Sequence, residues 1–218
     1  MSYQTRQLSC SYLFLISLLL PLNLQAAISD INRIYKETPK LEAFEFCSGG
    51  GCVDVHSVAL TNAEWQSVAA VFTQVESLAD ASLERQHIAE AIGLLERIVG
   101  AKTNTSTDRA GTFNNSNYSG QLDCNDEAIN STTYMRLMVQ HGLIKLHDVD
   151  DMRTRGYFIF GWPHSTAVIH DLATGEHYAV DSWFYDNGVS ATIVPLTLWK
   201  SGYFPADSPI IKTRVNEK

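Results

Sequence analysis

The sequence predicts an α+β fold, and three observations carry that reading. A proline-free stretch from Thr61 to Val99 repeats its apolar residues at helical spacing, a second helical pattern runs from Asp123 to Gly142, and the segments after it read as antiparallel strands. In the first stretch Thr61 and Glu64 have the spacing of a capping box. Trp65, Val68 and Phe72, then Ile88, Ile92, Leu95 and Val99, mark apolar faces, so two helices are expected, broken near Leu78 to Ser82, with Gly100 closing the second. Residues 101–120 turn abruptly to Asn, Ser, Thr and Gly and read as a loop. In "DCNDEAINSTTYMRLMVQHG", Asp123 is the expected cap, Asp126 and Glu127 suit the positive helix end, and Gly142 is the stop. Apolar positions wrap most of that helix, which predicts a largely buried one. "GYFIFGW", "STAVIHD", "EHYAVDSWF" and "ATIVPL" are the expected strands, with "LATG" turning between the second and third, and a further short strand is expected between Cys52 and Leu60. The resulting organisation is a leader over 1–26, an extension with a helical pair over 27–100, a loop over 101–120 and a final module over 121–218.

The leader reading rests on Arg6, the apolar run from Tyr12 to Leu20 closed by Pro21, and small residues at Ala26 and Ala27. The run is shorter than the roughly 20 apolar residues of a membrane span. A cleaved leader predicts a periplasmic or secreted protein with no stable membrane span. Its removal takes one basic residue and no acid, leaving 15 basic residues against 24 acidic. No basic run exists, which excludes ordinary nucleic-acid binding. Export also makes the cysteines informative. Cys47 and Cys52 flank "SGGG", a flexible loop that can close a disulfide in an oxidising compartment, and C-x4-C is not the usual spacing of a redox or metal pair. Cys124 is then left over.

Cys124 falls in the first turn of its expected helix, where unpaired N–H groups and the helix dipole favour a thiolate, while Asp123 opposes it. A thiol nucleophile needs a base, and the base an orienting group. If Leu172 to Gly175 form the hairpin loop, Asp181 lies opposite Thr166, and His164 shares the face of Thr166, diagonal to Asp181 and within reach of it. Gln121 is a candidate oxyanion donor, as is the backbone N–H of Cys124. Trp162 and Trp183, with Tyr157, are candidates to line a substrate cleft. His170 and His177 fall opposite each other on the same face, and with Asp181 they offer a metal-ligand set; no metal or other cofactor is assigned from spacing alone.

"CNDEA" at a helix start, "HGL" at its end, His164 opening a strand and Asp181 in "YAVDSW" after a hairpin occur in a telling order. This order resembles the transglutaminase-like superfamily, which includes papain-like thiol enzymes and bacterial transglutaminase-like cysteine proteinases. The resemblance covers about residues 120 to 185. It implies a papain-like or transglutaminase-like module, with the nucleophile helix packed on an antiparallel sheet. It further implies acyl transfer on amide bonds: Cys124 attacks the carbonyl carbon, His164 shuttles the proton and Asp181 holds the imidazole. Peptidase or amidase action on a peptide, protein or peptidoglycan stem is expected over cross-linking. Two alternatives stand beside it. One is a binding module of the same fold without catalysis. The other is a hydrolase similar to the NlpC/P60 enzymes, whose Asp-Cys pair "DC" also matches.

Overall fold

The computed structural model describes residues 34, 37–73, 80–113, 119–156 and 163–210. The expected leader, Tyr157, Trp162 and the strand expected over "GYFIFGW", save its first glycine, lie outside the described residues. Within them the fold is α+β, with four helices and two antiparallel sheets.

A hairpin of β1 (Phe44–Ser48) and β2 (Asp54–Val58) comes first. It contains the Cys47–Cys52 disulfide at its tip. β1 was not read from the sequence, because "FEFCS" lies in a stretch without clear alternation. Helix α1 (Asn62–Phe72) begins at the anticipated capping box, with both Thr61 and Glu64 contributing. Helix α2 (Ala81–Thr103) is capped by Asp80 and does not stop at Gly100. It continues for almost another turn to Asn104, whose left-handed φ of 61° supplies the C-cap. Gly100 is there for space: a Cβ would sit 3.1 Å from the Asn187 side chain and 3.2 Å from the Ser106 nitrogen. Gly93, two turns earlier, allows an equally close approach of the chain at Val189, whose backbone a Cβ would meet at 2.9 Å.

Helix α3 (Cys124–Gln140) is the expected buried helix, capped by Asp123 with Asp126 closing the box, and Gly142 follows it at φ 69°. The second sheet runs in the order β3 (His147–Arg155), β4 (His164–Asp171), β5 (His177–Asp181), β6 (Thr192–Pro195). β3 had no signal in the sequence. "HDVDDMRTR" lacks apolar alternation because it is an edge strand, half solvated and carrying charges that discourage further pairing. It bulges between Asp150 and Arg153. A short helix, α4 (Leu196–Lys200), follows β6 and packs back on β5.

One face of the sheet offers Ala167, Ile169, Tyr178 and Val180 to α2 and α3. These residues join Ile88, Ile92, Leu95, Met135 and Leu137 in a core that continues to Phe44, Phe46 and Trp65. The helical pair and the sheet therefore share one core. The opposite face carries a smaller cluster in which Val168, Ala179, Trp183, Phe184, Leu196 and Trp199 gather with Cys124. Among the described residues no helix is long and apolar enough to cross a membrane.

The β1–β2 hairpin is fixed to α3 by side chains that mimic a strand. Asn130 accepts from the Cys47 backbone N–H at 2.8 Å and donates to its carbonyl at 2.9 Å. Asp126 accepts from the N–H groups of Gly50 and Cys52, at 2.8 and 2.6 Å. Removing the Asn130 amide leaves both Cys47 backbone groups buried and unpaired. Asn130→Ala is expected to cost about 2–4 kcal/mol in urea unfolding, since each such group costs ~1–3 kcal/mol; a change under about 0.5 kcal/mol would show that water replaces the amide without loss.

Candidate active site

The ends of three elements meet where the sequence places its nucleophile, base and orienting group. Cys124 is the first residue of α3, His164 the first of β4 and Asp181 the last of β5; all three are buried. The hairpin register is the anticipated one, with Ala167 opposite Val180 and His170 opposite His177. That register sets Asp181 across from Thr166 and lets the His164 ring reach it.

His164 Nε2 lies 2.7 Å from Asp181 Oδ2. Trp199 Nε1 donates to the same oxygen, also at 2.7 Å. An indole can only donate, so Oδ2 is an acceptor, and the imidazole must then carry its proton on Nε2. Nδ1 is buried and has no hydrogen-bond partner among the described residues, the Cys124 sulfur included. The Cys124 sulfur lies against the backbone N–H of Ser165, the residue after His164. The histidine is clamped by aromatic rings, with Trp183 4.5 Å away and Phe184 and Trp199 both at 5.5 Å, centroid to centroid.

The thiol itself differs from the expectation of a lowered pKa. Burial, followed by the charges of Asp123, Asp181 and Glu127, pushes it up to about 12, against the pull of the Ser165 N–H. The resting sulfur is therefore a neutral thiol, and the helix start does not by itself make a thiolate. Any nucleophilic role then requires a base that removes the proton as the sulfur attacks.

Gln121 does not face this chemistry. Its amide oxygen accepts from the Arg109 N–H at 3.0 Å and Thr112 Oγ1 at 3.1 Å, and its Nε2 donates to the Thr107 carbonyl at 2.9 Å. It knits the loop before α3, and its donors are committed there. The N–H groups of Asn125 and Asp126 go to the Asp123 side chain, which leaves the Cys124 N–H as the candidate donor to an oxyanion. Trp183 is buried against His164 with its indole N–H on the Thr112 carbonyl at 2.9 Å, so it covers the histidine and does not line an open cleft. Asp181 is held by His164 and Trp199, and does not join His170 and His177.

Several supporting residues carry no motif in the sequence. Trp199 is one; it follows Leu196 and Leu198 in a mainly apolar segment that gives no hint of a polar task. Arg155 is another, donating to the carbonyls of Trp199 and, at 2.9 Å, Tyr203, with its guanidinium 4.4 Å over the Trp199 ring. It fixes α4 over the histidine. Ser182, next to Asp181, donates to Glu127 in the first turn of α3, so the strand end bearing Asp181 is tied to the turn bearing Cys124. Asp108 accepts from the Leu122 N–H at 2.6 Å and secures the approach to that turn.

No protein-family model matches the chain, and no curated protein or solved structure matches it.

Glu127 belongs to a set of buried carboxyls. Burial raises Glu96 and Asp108 to about 7, with the Asp108 charge adding to the effect at Glu96 and the Asp186 charge at Asp108; burial, reinforced by Glu96 and Asp108, raises Glu127 well above its ordinary range. Asp126 is likewise raised to about 7 by burial and the Asp123 charge. Between the ordinary carboxylate range near pH 4 and about pH 7 these groups keep protons that the unfolded chain has lost, so their contribution to stability falls as pH rises through that window. Urea unfolding is expected to show a loss on the order of 2–4 kcal/mol between about pH 5 and pH 8, flattened in Glu127→Gln. Stability that rises over this window would contradict the buried, protonated cluster.

Proposed function

We propose that this protein is an exported thiol enzyme that cleaves or transfers amide bonds through Cys124, His164 and Asp181, built on a papain-like or transglutaminase-like module. The observation that carries this reading is the state of His164. Its Nε2 is occupied by a carboxylate that also holds an indole N–H, and its Nδ1 is buried without a hydrogen-bond partner among the described residues, so it is open to a proton from a bound reactant. Most buried polar atoms with a purely structural role have a hydrogen-bond partner.

In the mechanism the Cys124 sulfur attacks the carbonyl carbon of a bound amide while His164 Nδ1 takes the thiol proton. The developing oxyanion is met by the N–H of Cys124 at the helix start. Asp181 stabilises the imidazolium through Nε2 and keeps it from rotating, and Trp199 keeps Asp181 in place. His164 then gives its proton to the leaving amine, and a thioester on Cys124 remains. Water or a second amine attacks that thioester, His164 removes the proton of the attacking group, and the thiol is restored. Because the resting thiol is neutral, proton transfer and attack proceed together, without a preformed thiolate–imidazolium pair.

The leader-like first residues and the Cys47–Cys52 disulfide both support an oxidising, exported setting. There a peptide, a protein or a peptidoglycan stem supplies the amide. Peptide or amide hydrolysis is favoured over cross-linking. The burial of Cys124 favours a second reading, in which the module binds a peptide and performs no chemistry.

Turnover of fluorogenic peptides and stem peptides separates the two. Wild-type release is expected, reduced roughly 100-fold or more in Cys124→Ala and His164→Ala, the scale of general-base catalysis. Trp199→Phe, which keeps the ring and loses the N–H, is expected to lower kcat about tenfold with KM little changed and to shift the pH profile. Gln121→Ala is expected to stay within about twofold. Release untouched by Cys124→Ala overturns the thiol mechanism, and peptide binding without any release identifies the binding module.

A further inference from the structure

We propose that Asp150, His170 and His177 form a binding site for a divalent transition metal, with zinc the best match, at the far end of the sheet face that carries His164 and Asp181. The three residues come from three adjacent strands, β3, β4 and β5. His170 and His177 are directly paired, and Asp150 pairs with Val168, one step along the same face of β4. Strand pairing, not a loop, sets their spacing.

Their ligand atoms converge. His170 Nδ1 is 3.1 Å from Asp150 Oδ1, and His177 Nε2 is 3.1 Å from Asp150 Oδ2; one donor atom from each residue lies within 4.8 Å of the other two. Donors about 2.1 Å from a tetrahedral zinc stand roughly 3.4 Å apart. Small rotations of partly exposed side chains reach that arrangement. The contact of His177 is the telling one. Despite its 3.1 Å separation, Asp150 Oδ2 is buried and has no hydrogen bond, so the ring nitrogen does not aim its N–H axis at the oxygen. His170 Nδ1, by contrast, is hydrogen-bonded to Asp150 Oδ1, a bond that a bound ion would replace, while Oδ2 is left free to coordinate.

The chemistry of the set fits. Two imidazoles and one carboxylate suit zinc and neighbouring transition ions better than calcium or magnesium, which take oxygen ligands. Asp148, directly across from His170 in the register and exposed, adds negative charge nearby. Three protein ligands leave a position for water or for a group on a ligand. His170 lies six positions along β4 from His164, roughly 20 Å of strand, so the site stands apart from the thiol. Binding of a metal here would clasp the charged edge strand β3 to β4 and β5.

The test uses the full chain with Cys124→Ser, so that a thiol cannot hold the ion. After chelation and desalting, zinc is titrated against a chromophoric competitor. One equivalent is expected to bind at micromolar concentration or tighter. Affinity is expected to fall in His170→Ala, His177→Ala and Asp150→Asn by at least the roughly 10–100-fold that loss of even an outer-shell partner costs. His177→Gln, at the most exposed of the three positions, provides a variant whose folding is preserved, checked by circular dichroism and the urea midpoint in chelator. Failure of the wild-type ligand set to bind zinc at about 100 μM, or binding unchanged in both His177→Gln and Asp150→Asn, overturns the site.

Discussion

The structure depends on a helix that is buried on nearly every side and yet is polar at its start. α3 carries Asp126, Glu127, Asn130, Ser131, Thr132 and Thr133 into the interior, and buried groups of this kind are tolerable only when they are hydrogen-bonded or neutralised. Each solution recruits a different part of the chain. Asp126 and Asn130 bind the disulfide hairpin, Glu127 binds Ser182 beside Asp181, and Thr132 returns to the Ala128 carbonyl. The polar half of the helix thus assembles the elements, while Met135, Leu137 and Met138 anchor it in the common core. Cys124 stands at the head of this helix with its surroundings fixed from three directions.

The same crowding decides the chemistry available. Burial holds the thiol neutral, and the carboxyls around the first turn add to it by repelling further negative charge. A neutral thiol that shares its aromatic cluster with a histidine locked on a carboxylate would depend on a base to react. The disulfide fits this account as a scaffold: it closes the hairpin tip that supplies two N–H groups to Asp126, and it leaves Cys124 as the free thiol among the described residues.

Much of this was legible in the sequence wherever a local rule acts alone. The period of two along β4 and β5, with a turn of defined length, was enough to bring His164 and Asp181 to one face. The caps at Thr61 and Asp123 depended only on neighbours three residues away. What escaped the sequence depended on distant partners. β3 lacks alternation because it is a solvated edge, so nothing marked Asp150 as the carboxylate beside His170 and His177, and Asp181 was the nearer candidate. Gly100 looked like a helix stop, whereas its lack of a Cβ serves a close approach by Asn187. Trp199 sits in an apolar run, and its N–H acquires meaning only from α4 folding back on β5. The height of the thiol pKa was also out of reach, since it comes from Asp181 and Glu127 as well as from burial, and a helix-dipole argument contains neither.

The central claim is that His164 activates a thiol that is otherwise neutral. The most direct measurement is the rate of Cys124 alkylation by iodoacetamide across pH, in the folded wild-type protein and in His164→Ala, with the 47–52 disulfide verified by mass spectrometry. The account predicts modification at neutral pH in the wild type, slowed at least about tenfold in His164→Ala, whose rate recovers only in strongly alkaline buffer. Equal rates in the two proteins at every pH, or a wild-type cysteine that reacts only near the alkaline end, would contradict it.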